Sequence, residues 1–101
     1  MKILLICSAG MSSSILAKKL QQTVHTNNLD YQIQSCSEST YEEMLENTSI
    51  ILISPQIRFL ENRIKASVAH TPIQVAILDR AAFGTLNTQI IIEQIQSLSY
   101  E

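Results

Sequence analysis

Cys7 ends the apolar run KILLIC and is followed by Ser8, Ala9, Gly10, Met11, Ser12, Ser13 and Ser14. These residues are small or flexible, so their backbone N–H groups can converge on one point. Gly10 admits a positive φ, and loops of that kind form anion nests. The segment runs straight into a helical pattern that starts at Ser12, and the free N–H groups and dipole of a helix start favour negative charge. The same field favours thiolate over thiol at Cys7. A thiolate set in a phosphate-shaped cradle is the arrangement of a nucleophile that takes up a phosphoryl group and becomes a phosphocysteine. A cysteine at a strand end is ordinarily a small buried hydrophobe. The loop that follows tips Cys7 towards function, with backbone N–H groups of residues 8–14 and hydroxyls such as those of Ser12 and Ser13 as the phosphate ligands.

The other polar candidates read as structure. Cys36 ends a half-polar run with no glycine-rich neighbour, so it reads as a bland thiol; a Cys7–Cys36 disulfide requires Cα atoms within about 7 Å. No CxxC or His-pair spacing suggests a metal, and no cofactor is expected. His25 and His70 sit near helix ends, where dipole contacts or solvation are their usual role. Lys18, Lys19 and Arg58 are either solvated or turned to an acidic partner. Glu38, Glu42, Glu43 and Glu46 read as a wet helix face. Asp79 reads as a cap for nearby N–H groups.

The elements that must position Cys7 follow from periodicity. Residues 2–6 are nearly all apolar, as in a strand covered on both faces. Leu16, Leu20 and Val24 recur every fourth residue, which predicts a first helix that stops at Asn27-Asn28. Residues 31–36 alternate, with Tyr31 and Ile33 against Gln32 and Gln34, and predict an edge strand with one wet face. Ser39-Thr40-Tyr41-Glu42 has the form of a capping box and predicts a short acidic helix with Tyr41, Met44 and Leu45 on one side. Residues 50–53 are a central strand. Leu60, Ile64 and Val68 mark a third helix ending before Thr71-Pro72. Residues 73–78 are a fourth strand, and after residues 79–84 comes a last helix with Ile91, Ile95 and Leu98 on its stripe. This βαβαβαβα alternation implies a parallel sheet with helices on both faces. So apolar a first strand must be internal, and the order 2-1-3-4 satisfies that. Ligands of such sheets bind beyond the carboxyl ends of the strands at the point where strand order reverses, here between the first and third strands, where Cys7 lies.

Composition narrows the partners. The chain of 101 residues is one domain's worth, expected as a single unit over residues 1–101. Apolar residues at 46% exclude disorder. Net charge is -2 and the seven basic residues are scattered, which argues against nucleic acid. No segment approaches the roughly 18 apolar residues of a membrane span. The chain is expected to be cytosolic with reduced thiols.

One known layout to weigh is the low-molecular-weight tyrosine phosphatase, whose loop after its first strand reads C-x5-R-[ST]. Counted from Cys7, the arginine position holds Ser13, and Ser14 keeps the hydroxyl position. The guanidinium that would clamp a transferring phosphoryl group is absent. Hydrolysis also needs an acid for a poor alkoxide leaving group, and Asp79 is the one aspartate placed to try. Transfer from a phosphohistidine is easier, since the leaving group is an imidazole. A non-catalytic regulator built on the same fold is a further alternative.

The segment KILLICSAGMSSS at 2–14 resembles the start of the enzyme IIB component of the lactose/cellobiose (chitobiose) type, in the phosphoenolpyruvate-dependent sugar phosphotransferase system. That family has C-[SA]-A-G-M-S-[TS]-S at this point. Ser54-Pro55-Gln56-Ile57 is similar to its G-P-Q-I, and Ile77-Leu78-Asp79 through Phe83-Gly84 to its I-D-x-x-x-Y-G. Ser54 replaces a glycine, Ser13 the more frequent threonine, and Phe83 a tyrosine. The resemblance implies a phosphatase-like fold over essentially the whole chain. It implies that Cys7 accepts phosphate from a phosphohistidine on a IIA component and passes it to a sugar held by the membrane component IIC. That sugar is expected to be a β-linked disaccharide such as cellobiose, chitobiose or lactose, with the protein transiently at the inner face of the membrane through IIC. Gln56, Ile57 and Arg58, with Met11, are expected on the rim that meets these partners.

Overall fold

The computed structural model describes residues 1–8 and 12–99, with Ser12, Ser13 and Ser99 described by their backbone. Four parallel strands form its sheet: β1 (Lys2–Cys7), β2 (Gln32–Ser37), β3 (Thr48–Ile53) and β4 (Gln74–Ile77). Their order is β2-β1-β3-β4, as the burial of the first strand demanded. The α-helices are α1 (Ser12–Thr26), α2 (Glu61–Ser67), α3 (Arg80–Thr85) and α4 (Thr88–Ser99).

Two apolar layers sit on the two faces of the sheet. Ile3, Leu5, Ile50 and Leu52 point to one face and meet Leu16, Leu20 and Val24 of α1 and Ile91, Ile92 and Ile95 of α4. Leu4, Ile6, Ile51 and Ile53 point to the other and meet Tyr41, Ile57, Ile64 and Val68. Strands β1 and β3 therefore supply both cores, which is why their sequences do not alternate. In β2, Gln32 and Gln34 are exposed while Ile33 packs beneath α1, the one-sided pattern of an edge strand.

Helix α1 stops as its asparagines announce. Asn28 takes φ 57, Leu29 N–H donates to Val24 C=O at 3.0 Å and Asn28 N–H to His25 C=O at 3.1 Å. That pair of bonds is a Schellman closure.

Three expected elements differ. The Ser39 capping box does not form. Thr40 precedes a single 3₁₀ turn over Tyr41–Met44 without a side-chain cap bond. The Ser39 hydroxyl pairs instead with the Ser37 hydroxyl at 2.9 Å. The third helix is shorter than its stripe: α-helix covers Glu61–Ser67, while Leu60 ends a preceding 3₁₀ segment, Pro55–Leu60, kinked at Ile57 (φ -119). The stretch 79–84, expected as a connection, holds α3. Asp79 caps it by accepting from Ala82 N–H at 2.9 Å. Leu86 closes it at φ 54 in a second Schellman pair, Asn87 N–H to Ala82 C=O at 2.8 Å and Leu86 N–H to Phe83 C=O at 3.4 Å. Asn87 then accepts from Ile90 N–H at 3.3 Å and starts α4.

Candidate phosphoryl-transfer site

Three strand ends are brought level beside Cys7. Ile6 is in register with Ile53, and Ile53 with Ile77. The register continues one step further: Ser54 N–H donates to Ile6 C=O and Leu78 N–H to Ile53 C=O, each at 2.8 Å. Cys7, Ser54 and Leu78 thus occupy the next rung, and each segment leaves the sheet beyond it. Cys7 is 2% exposed and the following Ser8 is partly exposed, so the thiol lies at the floor of the carboxyl end. The place is the one expected from strand order, between β1 and β3.

Ala9, Gly10 and Met11 of the expected phosphate loop lie outside the described residues, as do the side chains of Ser12 and Ser13. Ser14 is exposed in the first turn of α1, whose backbone begins at Ser12, four residues after the partly exposed Ser8.

Cys36 and Cys7 are both thiols, on adjoining strands. Cys36 pairs in register with Ile6, and Cys7 with Ser37. Cys36 packs with the layer of Leu4 and Ile6, and alternation turns Cys7 the other way. Burial pushes the Cys36 thiol up to about 11, the charge of Cys7 adds to the rise, and Lys2 pulls against it. Cys36 is therefore protonated at neutral pH and a poor nucleophile.

The segment after β3 alternates in exposure. Gln56 and Arg58 are exposed, but Ile57 is 5% exposed and packs with Ile53 and Ile64. Its side chain anchors the segment to the core. The kink at Ile57 is what turns it inward between two exposed neighbours, and no spacing in the sequence announces it. Ser54, where the resembling family has glycine, takes φ -58, ordinary backbone that needs no glycine. Its side-chain oxygen accepts from Gln56 N–H at 3.4 Å.

Arg80, not singled out from the sequence, borders a cleft of about 370 Å³ together with Pro55, Gln56, Arg58, Phe83 and Gly84. The Asp-Arg-Ala-Ala run, a cap followed by helix formers, was the signal that could have placed it on a helix start. Glu38, next along from Ser37, has a carboxylate oxygen that is buried without a hydrogen-bond partner. Among the described residues no group of His, Cys, Asp and Glu is placed to hold a metal, and no helix is long and apolar enough to cross a membrane.

The lactose/cellobiose-specific IIB subunit family of the phosphotransferase system (PTS) matches residues 2–94. The chain belongs to this family. It is 31% identical over 97 residues to the PTS system oligo-beta-mannoside-specific EIIB component of Bacillus subtilis, covering 96% of this chain and 94% of that protein. It is 35% identical over 80 residues to the cellobiose-specific EIIB component of Lactococcus lactis, covering 72% and 74%. The solved lactose-specific IIB domain of Streptococcus pneumoniae superposes with a TM-score of 0.80 at 17% identity, covering 92% of this chain and 95% of that one. The cellobiose-specific IIB component of Borrelia burgdorferi superposes at 0.69 with 27% identity, covering 92% and 85%. The four-stranded sheet in the order 2-1-3-4 is thus a IIB fold of the phosphatase-like kind, and the chain is a sugar phosphotransferase component of the cellobiose/lactose type.

Proposed function

We propose that Cys7 of this single IIB domain carries the phosphoryl group between a IIA component and a sugar held by the membrane component IIC, on the cytoplasmic side. In the first step the Cys7 thiolate attacks phosphorus, the S–P bond forms, and the P–N bond to the donor imidazole breaks with its electron pair left on nitrogen. In the second a sugar hydroxyl attacks phosphorus, loses its proton, and the thiolate leaves. The observation that carries this reading is the position of Cys7 on the rung where β1 leaves the sheet, at the strand-order reversal and ahead of α1. On this reading the backbone N–H groups of Ser8, Ala9, Gly10, Met11, Ser12, Ser13 and Ser14 are the donors to the phosphoryl oxygens. The raised Cys36 thiol leaves Cys7 as the nucleophile of the pair. The sugar is a β-linked disaccharide of the cellobiose, chitobiose or lactose class.

The test is intact-protein mass after incubation with the phosphoenolpyruvate-driven chain ending in phosphorylated IIA. The wild type and Cys36→Ala gain one phosphate, and Cys7→Ser gains none. Label that persists on a histidine in Cys7→Ser, or steady hydrolysis of an aryl phosphate by the wild type, overturns the reading.

A further inference from the structure

The geometry points to the cleft between the segment Pro55–Leu60 and α3 as the docking surface for the phosphoryl donor, with Arg58 and Arg80 receiving carboxylates of that protein and Phe59 anchoring its apolar part. This inference rests on the proposed carrier role and adds to it the chemistry of the partner's face.

The cleft lies where β3 and β4 end, across the sheet edge between the two layers: Ile57 belongs to one core and Ala82 and Phe83 to the other. Leu78, two residues before Arg80, is on the same rung as Cys7 and two strands away, about 10 Å at the usual strand spacing. A protein covering Cys7 covers the cleft as well.

Its charge is unbalanced. Arg58 and Arg80 both border it, and among the described residues no carboxylate does. The carboxylates nearest in sequence are engaged elsewhere: Asp79 caps α3 through Ala82 N–H, and Glu61 pairs with Lys65 at 3.2 Å. Among the described residues that is the one ion pair. Arg58 is held by a bond from Nη1 to Pro55 C=O at 3.1 Å, which fixes its guanidinium at the cleft and leaves its other N–H groups to a ligand. On a chain of net charge -2 this is a local reversal of sign. Next to it Phe59 is 76% exposed, and Ile15 in the first turn of α1 is 54% exposed. Among the described residues these are the two most exposed of the large apolar side chains, and both lie at the end of the sheet where Cys7 does. An exposed aromatic next to an arginine is the composition of an interface anchor.

The sign of the charge selects the donor over the acceptor. A phosphohistidine protein arrives with the phosphoryl dianion, and the arginines attract both it and the carboxylates around it. After transfer the donor has lost that charge and phospho-Cys7 has gained it beside the cleft, so attraction falls and the donor leaves.

The test is the kinetics of phosphoryl transfer from purified phosphorylated IIA to the full chain, with IIA varied at low and high salt. Arg58→Glu/Arg80→Glu is expected to raise KM for IIA at least tenfold with kcat within about twofold, and to flatten the salt dependence of KM. Phe59→Ser is expected to raise KM without changing that salt slope. Arg58→Gln/Arg80→Gln, with unchanged circular dichroism, serves if the reversal fails to fold, and is expected to raise KM about threefold. A KM within twofold of wild type in both double variants, a loss confined to kcat, or a loss confined to the step onto sugar overturns the inference. Calorimetric binding of unphosphorylated IIA to Cys7→Ser separates the two readings. Arginine-dependent binding with no phosphate on wild-type Cys7 overturns the carrier role alone. Normal Cys7 phosphorylation with arginine-independent binding overturns the docking surface alone.

Discussion

At the residue scale the two cysteines show how environment divides identical chemistry. Cys7 ends β1 and Cys36 is the last residue but one of β2, and the strands are neighbours, but the two belong to opposite faces. Cys36 is held among apolar side chains, and its pKa rises from 9.0 to about 11 first through burial and then through the charge on Cys7. Replacing Cys7 by serine removes only the smaller cause. In Cys7→Ser the rate of iodoacetamide reaction at Cys36 is therefore expected to titrate with a midpoint still above 9.0 but below about 11. A midpoint at or below 9.0 would make burial the wrong cause. The linkage has a definite sign. A folded-state pKa above the unfolded one gives stability that is complete below about pH 9 and is lost as pH rises through about 11. Because the thiol is only partly buried, solvent screening reduces that stability to the order of 1 kcal/mol.

At the element scale, local rules succeeded where one rule acted alone. Leu16, Leu20 and Val24 gave α1 its period, and Asn27-Asn28 its end. The Asn28 stop is expected to be intolerant of branching. Valine at φ 57 is a steric outlier, so Asn28→Val should lower stability by about 1–2 kcal/mol, read as a lower urea midpoint with unchanged slope. An unchanged midpoint would mean that the Schellman pair contributes nothing. The same closure at the end of α3 was illegible, because Leu86 occupies the left-handed position where glycine is the usual sign. Its side chain packs against the core beneath α1 and α4, which offsets a backbone cost of roughly 1–2 kcal/mol. Gly84, two residues earlier, is a false sign: it lies inside α3, and a Cβ there would meet nothing within 4 Å. Ser39-Thr40-Tyr41-Glu42 failed for a different reason. Tyr41 is 2% exposed and bonds Ser67 Oγ through its hydroxyl at 2.8 Å. That tertiary anchor sets the path of the turn before a capping box can. The edge of β2 is managed by one side chain. Gln21 of α1 accepts from Ile33 N–H at 2.9 Å and donates to Tyr31 C=O at 3.1 Å, filling the place of a neighbouring strand.

At the scale of the whole molecule, strand order and the place of Cys7 were legible because both follow from burial. A strand apolar on both faces must be internal, and a small-residue loop after it must open at the reversal point. The inward turn of Ile57 and the pairing of Arg58 with Arg80 across a cleft were not, since they depend on how two layers meet above the sheet. On the α3 side of the cleft the strand exit is held by Gln94. From α4 its Nε2 donates to Ile77 C=O at 2.6 Å, and its Oε1 accepts from Asp79 N–H at 3.1 Å. These two groups bracket the exit of β4 from the sheet, and Asp79 in turn caps the helix that begins with Arg80. One amide side chain thus ties α4 to the residue that orients the cleft. Gln94→Met keeps the volume and removes both bonds, leaving a part-buried C=O and an amide to find other partners. Leaving such groups unpaired costs about 1–3 kcal/mol, so the urea midpoint should fall. The amide of Asp79 should lose hydrogen-exchange protection ahead of the amides of β1, because only the exit of β4 is released. Transfer from IIA should show a raised KM although residue 94 touches no partner, since Arg80 is then held less firmly. A Gln94→Met protein with wild-type midpoint and a protected Asp79 amide would show that the sheet alone fixes the strand end, and that α4 plays no part in shaping the cleft.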